Sequence, residues 1–149
     1  MKNDLEQAAE HFLNLMDRLR KQGPQTAPPK EANISPSQLA FISFLGSNPG
    51  CGIRFMASGL KISKPSVSIG VSQLEVAGLL TRQPDSKDGR AVQLYLTPKG
   101  QELHKITHEF RCKKFEHLLK GLNIKERTTL LELLERAIQN VELEEKGKI

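Results

Sequence analysis

The sequence predicts a mainly α-helical fold with one small β-hairpin, in the order helix, helix, helix, helix, hairpin, helix, helix. In the helical segments, apolar residues recur at steps of three and four, which places them on one face of each helix. Serine, threonine or asparagine precedes several of these segments, at the position of a helix cap. The segments LLTRQ (79–83) and AVQLYLT (91–97) instead alternate apolar and polar residues, as strands do, and the turn-rich PDSKDGR joins them.

The first two helices are separated by a break rich in proline. The first is predicted over 4–21 and ends before GPQTAPP (23–29). The second begins at Ser35, an N-cap that is followed by Pro36 at the first helical position and by Gln38, which completes a capping box. The apolar face of the first helix is Leu5, Ala8, Phe12, Leu15, Met16 and Leu19, and the second is expected to turn Leu39, Ile42, Phe44 and Leu45 inward.

The third and fourth helices are close together in the sequence. A short helix near 55–60 is linked by LKIS (60–63) to a helix that Ser63 caps and Gly78 ends. Two helices joined by so short a turn form a helix-turn-helix, and the hairpin beside them is a wing. The fifth helix starts at Thr97-Pro98 and carries Leu103, Ile106, Phe110, Phe115, Leu118 and Leu119; the sixth, capped by Asn123 and Glu126, carries Leu130, Leu131, Leu134, Ala137, Ile138 and Val141.

Charge is distributed unevenly along a chain of 149 residues with a net charge of +5. The 43 residues between Glu31 and Glu75 contain no acidic group, although Arg54, Lys61 and Lys64 lie there. Such a segment suits a surface that faces a polyanion, because a carboxylate near a phosphate is repulsive. A neutral, half-buried segment would show the same composition, so charge alone leaves both interpretations open.

The chain shows no targeting or disulfide signal. Its N-terminal segment has mixed charge and no apolar core of a secretory signal, and the longest apolar run, AFISFL (40–45), is too short to span a bilayer. Cys51 and Cys112 match no metal or redox spacing motif. We therefore expect a cytoplasmic protein.

The fourth helix has a small, uncharged face where lysine and glutamate are usual. Val67, Val71 and Leu74 cluster on the side that should face the core. A helix whose opposite side is small can fit the major groove, where serine can bond phosphates or base edges, glutamine can pair with adenine and isoleucine can contact a thymine methyl. The predicted DNA-binding residues of this helix are Ser63, Lys64, Pro65, Ser66, Ser68, Ile69, Ser72 and Gln73. The alternative is a buried helix whose serines serve close packing.

The hairpin supplies the second predicted DNA contact. Arg82 enters its loop, which carries Lys87 and Arg90. An arginine on a hairpin tip can reach a minor groove, where narrow A·T tracts concentrate negative potential. Asp85 and Asp88 are expected to shape the turn and aim Arg90 rather than contact DNA.

The run from Ile62 to Leu103 resembles the core of the MarR (multiple antibiotic resistance regulator) family. The resemblance rests on a serine-rich helix, a Leu-Glu-x-x-Gly-Leu exit, an Asp-x-Arg wing and a Leu-Thr-x-x-Gly entry to the next helix. These motifs are Leu74, Glu75, Gly78 and Leu79; Asp88 and Arg90; and Leu96, Thr97 and Gly100.

The resemblance implies a homodimeric winged helix-turn-helix transcription regulator with long N- and C-terminal dimerisation helices. It divides the chain into a dimerisation helix and linker (1–34), a DNA-binding domain (35–97) and C-terminal dimerisation helices (98–149). The implied dimer contacts are Leu5, Phe12, Leu15, Leu19, Leu130, Leu134, Ile138 and Val141. It further implies a repressor relieved by a small aromatic or anionic effector. Phe12, Met16, Phe41 and Phe44 could line the effector cleft, although core packing explains these residues equally well.

One departure from the family concerns base readout. The family often has arginine or lysine at the positions of Ile69 and Ser72, so bidentate readout of guanine is missing from this helix. We therefore expect an A·T-leaning operator and unusual reliance on Lys87 and Arg90.

Three other functions are compatible with particular residues of the sequence. His104, His108 and Cys112 recur at four-residue spacing and could bind zinc with His11 or Glu31, and Cys51 with Cys112 could sense oxidants. A solvated helix face and structural thiols are the commoner explanations of these residues, so no cofactor is predicted. The winged helix could also be a protein-interaction module. There is no phosphate-binding loop, nucleophile elbow or His-Glu metal motif, so an enzyme is not expected.

Overall fold

The predicted order of elements is confirmed. The computed structural model describes residues 1–22, 34–85, 87 and 91–147. Within them the chain forms α1 (Asp4–Arg20), α2 (Pro36–Ser47), α3 (Ile53–Leu60), α4 (Lys64–Val76), β1 (Leu80–Pro84), β2 (Val92–Leu96), α5 (Pro98–Leu119) and α6 (Ile124–Gly147). The two strands pair antiparallel, each within one residue of its predicted bounds.

The helices begin at the predicted caps. The Ser35 hydroxyl accepts from the Gln38 backbone N–H, and the Gln38 side chain closes the capping box. Asn123 and Glu126 bond each other's backbone N–H in the same way at the start of α6. A further capping box, between Asn3 and Glu6, starts α1 and was not predicted. Local side-chain chemistry thus sets where these helices start.

The core lies where α2, α3, α4 and the hairpin meet. It consists of Phe41, Ile42, Leu45, Met56, Ala57, Val67, Val71, Leu74, Leu79, Leu80, Leu94 and Leu103. The prediction for α2 was partly wrong, since Phe41 is buried while Leu39 and Phe44 are only half-buried. Phe44 lies at the edge of the core, where its ring packs against Gly59. The ring centroids of Phe44 and Phe55 are 5.9 Å apart.

The base of the hairpin is fastened to the end of α4. Gly78, just beyond α4, has a φ of +77°, which glycine adopts without strain. Its carbonyl accepts from the Thr97 hydroxyl at 2.6 Å, and the Leu79 carbonyl accepts from the Thr97 N–H at 3.0 Å. A side chain on Gly100 would collide with the same Leu79 carbonyl. The Leu-Thr-x-x-Gly motif therefore fixes the foot of the hairpin, which is the end where Leu79 and Thr97 meet.

The chain divides into two compact units, Met1–Arg111 and Cys112–Ile149, and α5 contributes to both. In the first unit, α1 has no buried residue, and Phe12 on it is 50% exposed. In the second unit, α6 likewise has no buried residue, and Ile138 is 53% exposed. No helix in the described ranges is long and apolar enough to cross a membrane.

Candidate nucleic-acid interface

The two faces of α4 differ sharply in exposure. Val67, Val71 and Leu74 are fully buried, whereas Ile69 is 61% exposed. The other residues of the small face are exposed at Pro65, Ser66, Ser72, Gln73 and Val76, and half-buried at Ser68. Among the described residues this face therefore stays largely exposed to solvent, so the alternative of a buried serine helix is wrong.

The N-terminus of α4 has a positive electrostatic potential, and its cap is an uncharged serine. The Ser63 hydroxyl accepts from the Ser66 N–H at 3.2 Å and donates to the Ser66 hydroxyl at 2.9 Å. There is no acidic residue in the first turn, and Lys64 is exposed there. The helix dipole and this lysine favour an anion at the same place.

The structure brings together two predicted site residues that are ten positions apart. The Arg82 guanidinium donates through Nη2 to the Ser72 hydroxyl at 2.9 Å. Its Nε lies 3.4 Å from Oε1 of Glu75, forming an ion pair. Sequence reasoning placed Arg82 at the wing and missed Glu75 as its partner. Strand alternation was the available signal, because Arg82 lies two residues from the buried Leu80 and therefore on the helix-facing side of β1.

The described part of the wing loop is held by Asp85. Its carboxylate accepts from the Lys87 N–H at 2.9 Å, and its own N–H donates to the Ala91 carbonyl at 3.0 Å. The Lys87 side chain is exposed. Arg90 and Asp88, predicted as the groove contact and a turn residue, lie outside the described residues.

A cleft of about 560 Å³ lies beside α2 in the first unit. Leu39, Ser43, Phe44, Leu60, Thr107 and Arg111 are among its lining residues. Arg111 Nη1 donates to the Ser43 hydroxyl at 3.3 Å. Of the residues predicted for an effector cleft, only Phe44 lines this one; Phe41 is in the core, and Phe12 and Met16 are exposed on α1.

The alternative sensor residues show no built site. Among the described residues, no group of three His, Cys, Asp or Glu side chains could hold a metal ion. His104 and His108 lie with ring centroids 6.0 Å apart. Burial raises the pKa of the Cys51 thiol, although a backbone hydrogen bond opposes the effect. The raised pKa lowers the thiolate fraction on which oxidant sensing depends.

Comparison with known proteins identifies the family. The MarR family profile matches residues 32–91. The HTH-type transcriptional regulator FarR of Neisseria gonorrhoeae is 30% identical over 104 residues, which are 70% of this chain and 71% of FarR. The chain belongs to the MarR family. As a member, it is a DNA-binding transcriptional regulator, and its relatives are regulators rather than enzymes.

Solved structures of MarR-like fold agree with the winged helix-turn-helix architecture. FabT of Streptococcus pneumoniae, solved in complex with DNA, superimposes with a TM-score of 0.79 at 21% identity, covering 93% of this chain and 98% of FabT. PcaV of Streptomyces coelicolor, solved in complex with its natural ligand, gives 0.64 at 22% identity, covering 93% and 97%. At such identity these likenesses concern the fold.

Proposed function

We propose that this MarR-family regulator acts in the cytoplasm as a homodimer that reads a pseudo-palindromic operator, with α4 in the major groove and the wing at the adjacent minor groove. The observation that carries the proposal is the exposed, small face of α4 opposite a fully buried face. Two copies of α4 related by a twofold axis would reach half-sites about 34 Å apart, one turn of DNA. The FabT complex with DNA supports the same use of this fold.

The groove contacts divide by chemistry. Ser63, Lys64 and Ser66, at the start of α4, suit a phosphate. Ile69 and Gln73 suit the edges of A·T pairs, because they offer an apolar contact and an amide. Nε2 of Gln38 donates to Oε1 of Gln73 at 3.4 Å, and this contact limits the orientations of the Gln73 amide. Lys87 and Arg90 are proposed for the wing contact, and the operator is proposed to be A·T-leaning.

Dimerisation would cover two apolar faces that the described part of the chain leaves exposed. On α1, Leu5 is 76% exposed and Phe12 is half exposed; on α6, Ile138 and Val141 are half exposed. Large apolar faces on monomeric proteins are unusual, and a second copy of the chain is the simplest cover. Leu15, Leu19, Leu130 and Leu134 complete the proposed contact set.

A ligand in the cleft beside α2 is proposed to relieve repression. Arg111 supplies a cation and Phe44 an aromatic wall, which together suit an aromatic anion. The Phe44 ring packs against Gly59 of α3, with ring atom Cε2 2.3 Å from where a Cβ on Gly59 would stand. A ligand that displaces this ring would therefore shift α3 and, through the short turn, α4. PcaV, with its natural ligand, is a fold neighbour that binds a ligand.

The DNA proposal is tested by selecting fragments from a random pool and measuring their binding by fluorescence anisotropy. We expect a pseudo-palindrome bound with a steep, linear loss of log affinity against log salt. Selection of no common sequence, or binding that ignores salt, would contradict the proposal.

The effector proposal is tested with benzoate as a simple aromatic anion. Benzoate should weaken operator binding by the native protein, and Arg111→Ala should abolish this response. Lys105→Ala, an exposed cation elsewhere on α5, is the matched control and should keep it. An equal response in Arg111→Ala would contradict the cleft assignment.

A further inference from the structure

The contacts of Arg82 point inward, towards the protein. Nη2 bonds the Ser72 hydroxyl at 2.9 Å and Nε pairs with the Glu75 carboxylate at 3.4 Å, so two of the three guanidinium nitrogens face α4. Its side chain is only 32% exposed. An arginine whose charge is matched by a carboxylate of the same protein attracts a phosphate less than a free one does.

The contact of Arg82 with α4 lies where it can control the angle between the hairpin and α4. Thr97, Leu79 and Gly100 fix the foot of the hairpin, whereas Arg82 lies two residues beyond Leu80 towards the tip. A five-residue strand spans about 17 Å, so a rotation of about 10° at the foot would move the tip by about 3 Å. A displacement of about 3 Å at the tip is enough to break a hydrogen bond between the wing and DNA.

We propose that Arg82 is a positioning residue: through Ser72 and Glu75 it holds the wing at a fixed angle to α4, so that both contact one DNA duplex without rearrangement. In this arrangement Ser72 serves as an acceptor for Arg82 and does not read a base. The inference differs from the prediction that Arg82 and Ser72 contact DNA, and it rests on the proposed function, in which α4 and the wing bind together.

Glu75→Gln gives the sharpest test, because the two roles predict opposite signs. Removing a carboxylate from a DNA-facing protein strengthens binding when the only effect is electrostatic, and it would free Arg82 for a phosphate. A positioning role predicts the reverse. We expect Glu75→Gln to bind the selected operator three- to tenfold more weakly, while its affinity for mixed-sequence DNA stays within twofold. Tighter operator binding by Glu75→Gln would overturn the proposal.

The salt dependence of Arg82→Gln gives an independent readout. Loss of a phosphate contact reduces the slope of log affinity against log salt by about 0.9. For a positioning residue, we expect weaker operator binding with a slope changed by less than about 0.3. Arg82→Lys keeps the charge but loses the guanidinium group that contacts Ser72 and Glu75 at once, so it should bind the operator nearly as weakly as Arg82→Gln. A slope reduced by about 0.9, or full rescue by lysine, would overturn the proposal.

Double variants and melting curves separate positioning from folding. Glu75→Gln combined with Arg82→Gln should be no weaker on the operator than Arg82→Gln alone, because both remove the same contact. Melting temperatures within about 3 °C of the native protein would show that the variants are folded. If the native protein selects no operator, the proposed function fails; if it does and Glu75→Gln binds more tightly, only this inference fails.

Discussion

The ring of Phe41 lies against the backbone of Gly70, so that a Cβ on Gly70 would stand 1.7 Å from ring atom Cε2. Gly70 belongs to α4 and Phe41 to α2, and both residues are buried. The glycine, which is unfavourable in a helix interior, is present because α2 must approach α4 this closely. This contact sets how deeply α4 sits on the core, and hence how far its opposite face projects.

Gly70→Ala is expected to destabilise the protein although alanine is the better helix former. The gain in helix propensity, about 1 kcal/mol, is smaller than the cost of inserting a methyl group into a filled core, about 1–3 kcal/mol, once a collision of this severity is included. Chemical denaturation should show a lower free energy of unfolding. Gly121→Ala is the matched control, since its nearest contact is Leu118 O at 3.7 Å, and it should change stability by less than about 0.5 kcal/mol.

A second variant tests whether a collision with the Phe41 ring causes the destabilisation by Gly70→Ala. Phe41→Leu makes room above Gly70, so Gly70→Ala should cost less in that background than in the native protein. Equal costs in the two backgrounds would show that the Phe41 ring is not the obstacle.

Local signals in the sequence predicted most of the fold. The caps at Ser35, Ser63 and Asn123 depend on residues within one turn, so they could be identified without tertiary information. The inward face of α2 could not, because the segment PSQLAFISFLGS is apolar on nearly all sides and its periodicity does not select Phe41 over Phe44.

Tertiary contacts limited the prediction of the site. The small face of α4 could be recognised from the sequence because its composition differs from that of a solvated helix, and its exposure agrees with that interpretation, whereas its contact with DNA stays a prediction. The contact of Arg82 with Ser72 and Glu75 depends on how β1 crosses α4, which no local pattern encodes. The same limit applies to the predicted effector cleft, because Phe41 and Phe44 are three residues apart and only the packing assigns Phe41 to the core and Phe44 to the cleft beside α2.

Ile138→Glu is expected to block dimerisation without unfolding the protomer. The side chain is half exposed on α6, so a carboxylate there would face water in a monomer but an apolar surface in the proposed dimer. Sedimentation equilibrium should show a shift towards monomer, and operator affinity should fall at least tenfold. Gln139→Glu adds the same charge one residue along and should remain dimeric. A dimeric Ile138→Glu protein would place the interface elsewhere.

Arg90→Ala is expected to weaken operator binding by more than about 2 kcal/mol, because the helix at 63–78 has no arginine of its own. The loss should be greatest for operators with an A·T tract beside the half-site, where a narrow minor groove concentrates negative potential. Anisotropy titrations of operators with and without the tract measure it. Lys87→Ala is the companion variant and should cost less, since lysine suits a narrow groove less well than arginine. An unchanged affinity in Arg90→Ala would remove the wing from the recognition mechanism.

Stability is expected to fall at mildly acidic pH because of His104. Its ring fills the space beside Gly46, with Nε2 2.4 Å from where a Cβ would be, and its buried Nδ1 has no hydrogen-bond partner. Burial first, and then the nearby His108 and Arg111 charges, lower the pKa of the imidazole; the facing helix α2 carries no titratable side chain.

The sign of the effect follows from proton binding. A lowered pKa means that the unfolded chain takes up a proton on His104 at a higher pH than the folded chain does. The stabilising contribution is therefore present above the unfolded pKa, near 6.5, and is lost as the pH falls towards the folded pKa. Denaturation at pH 7.5 and 5.5 should show a larger loss for the native protein than for His104→Gln, which cannot titrate. Equal losses would mean that protonation of His104 does not limit stability in acid.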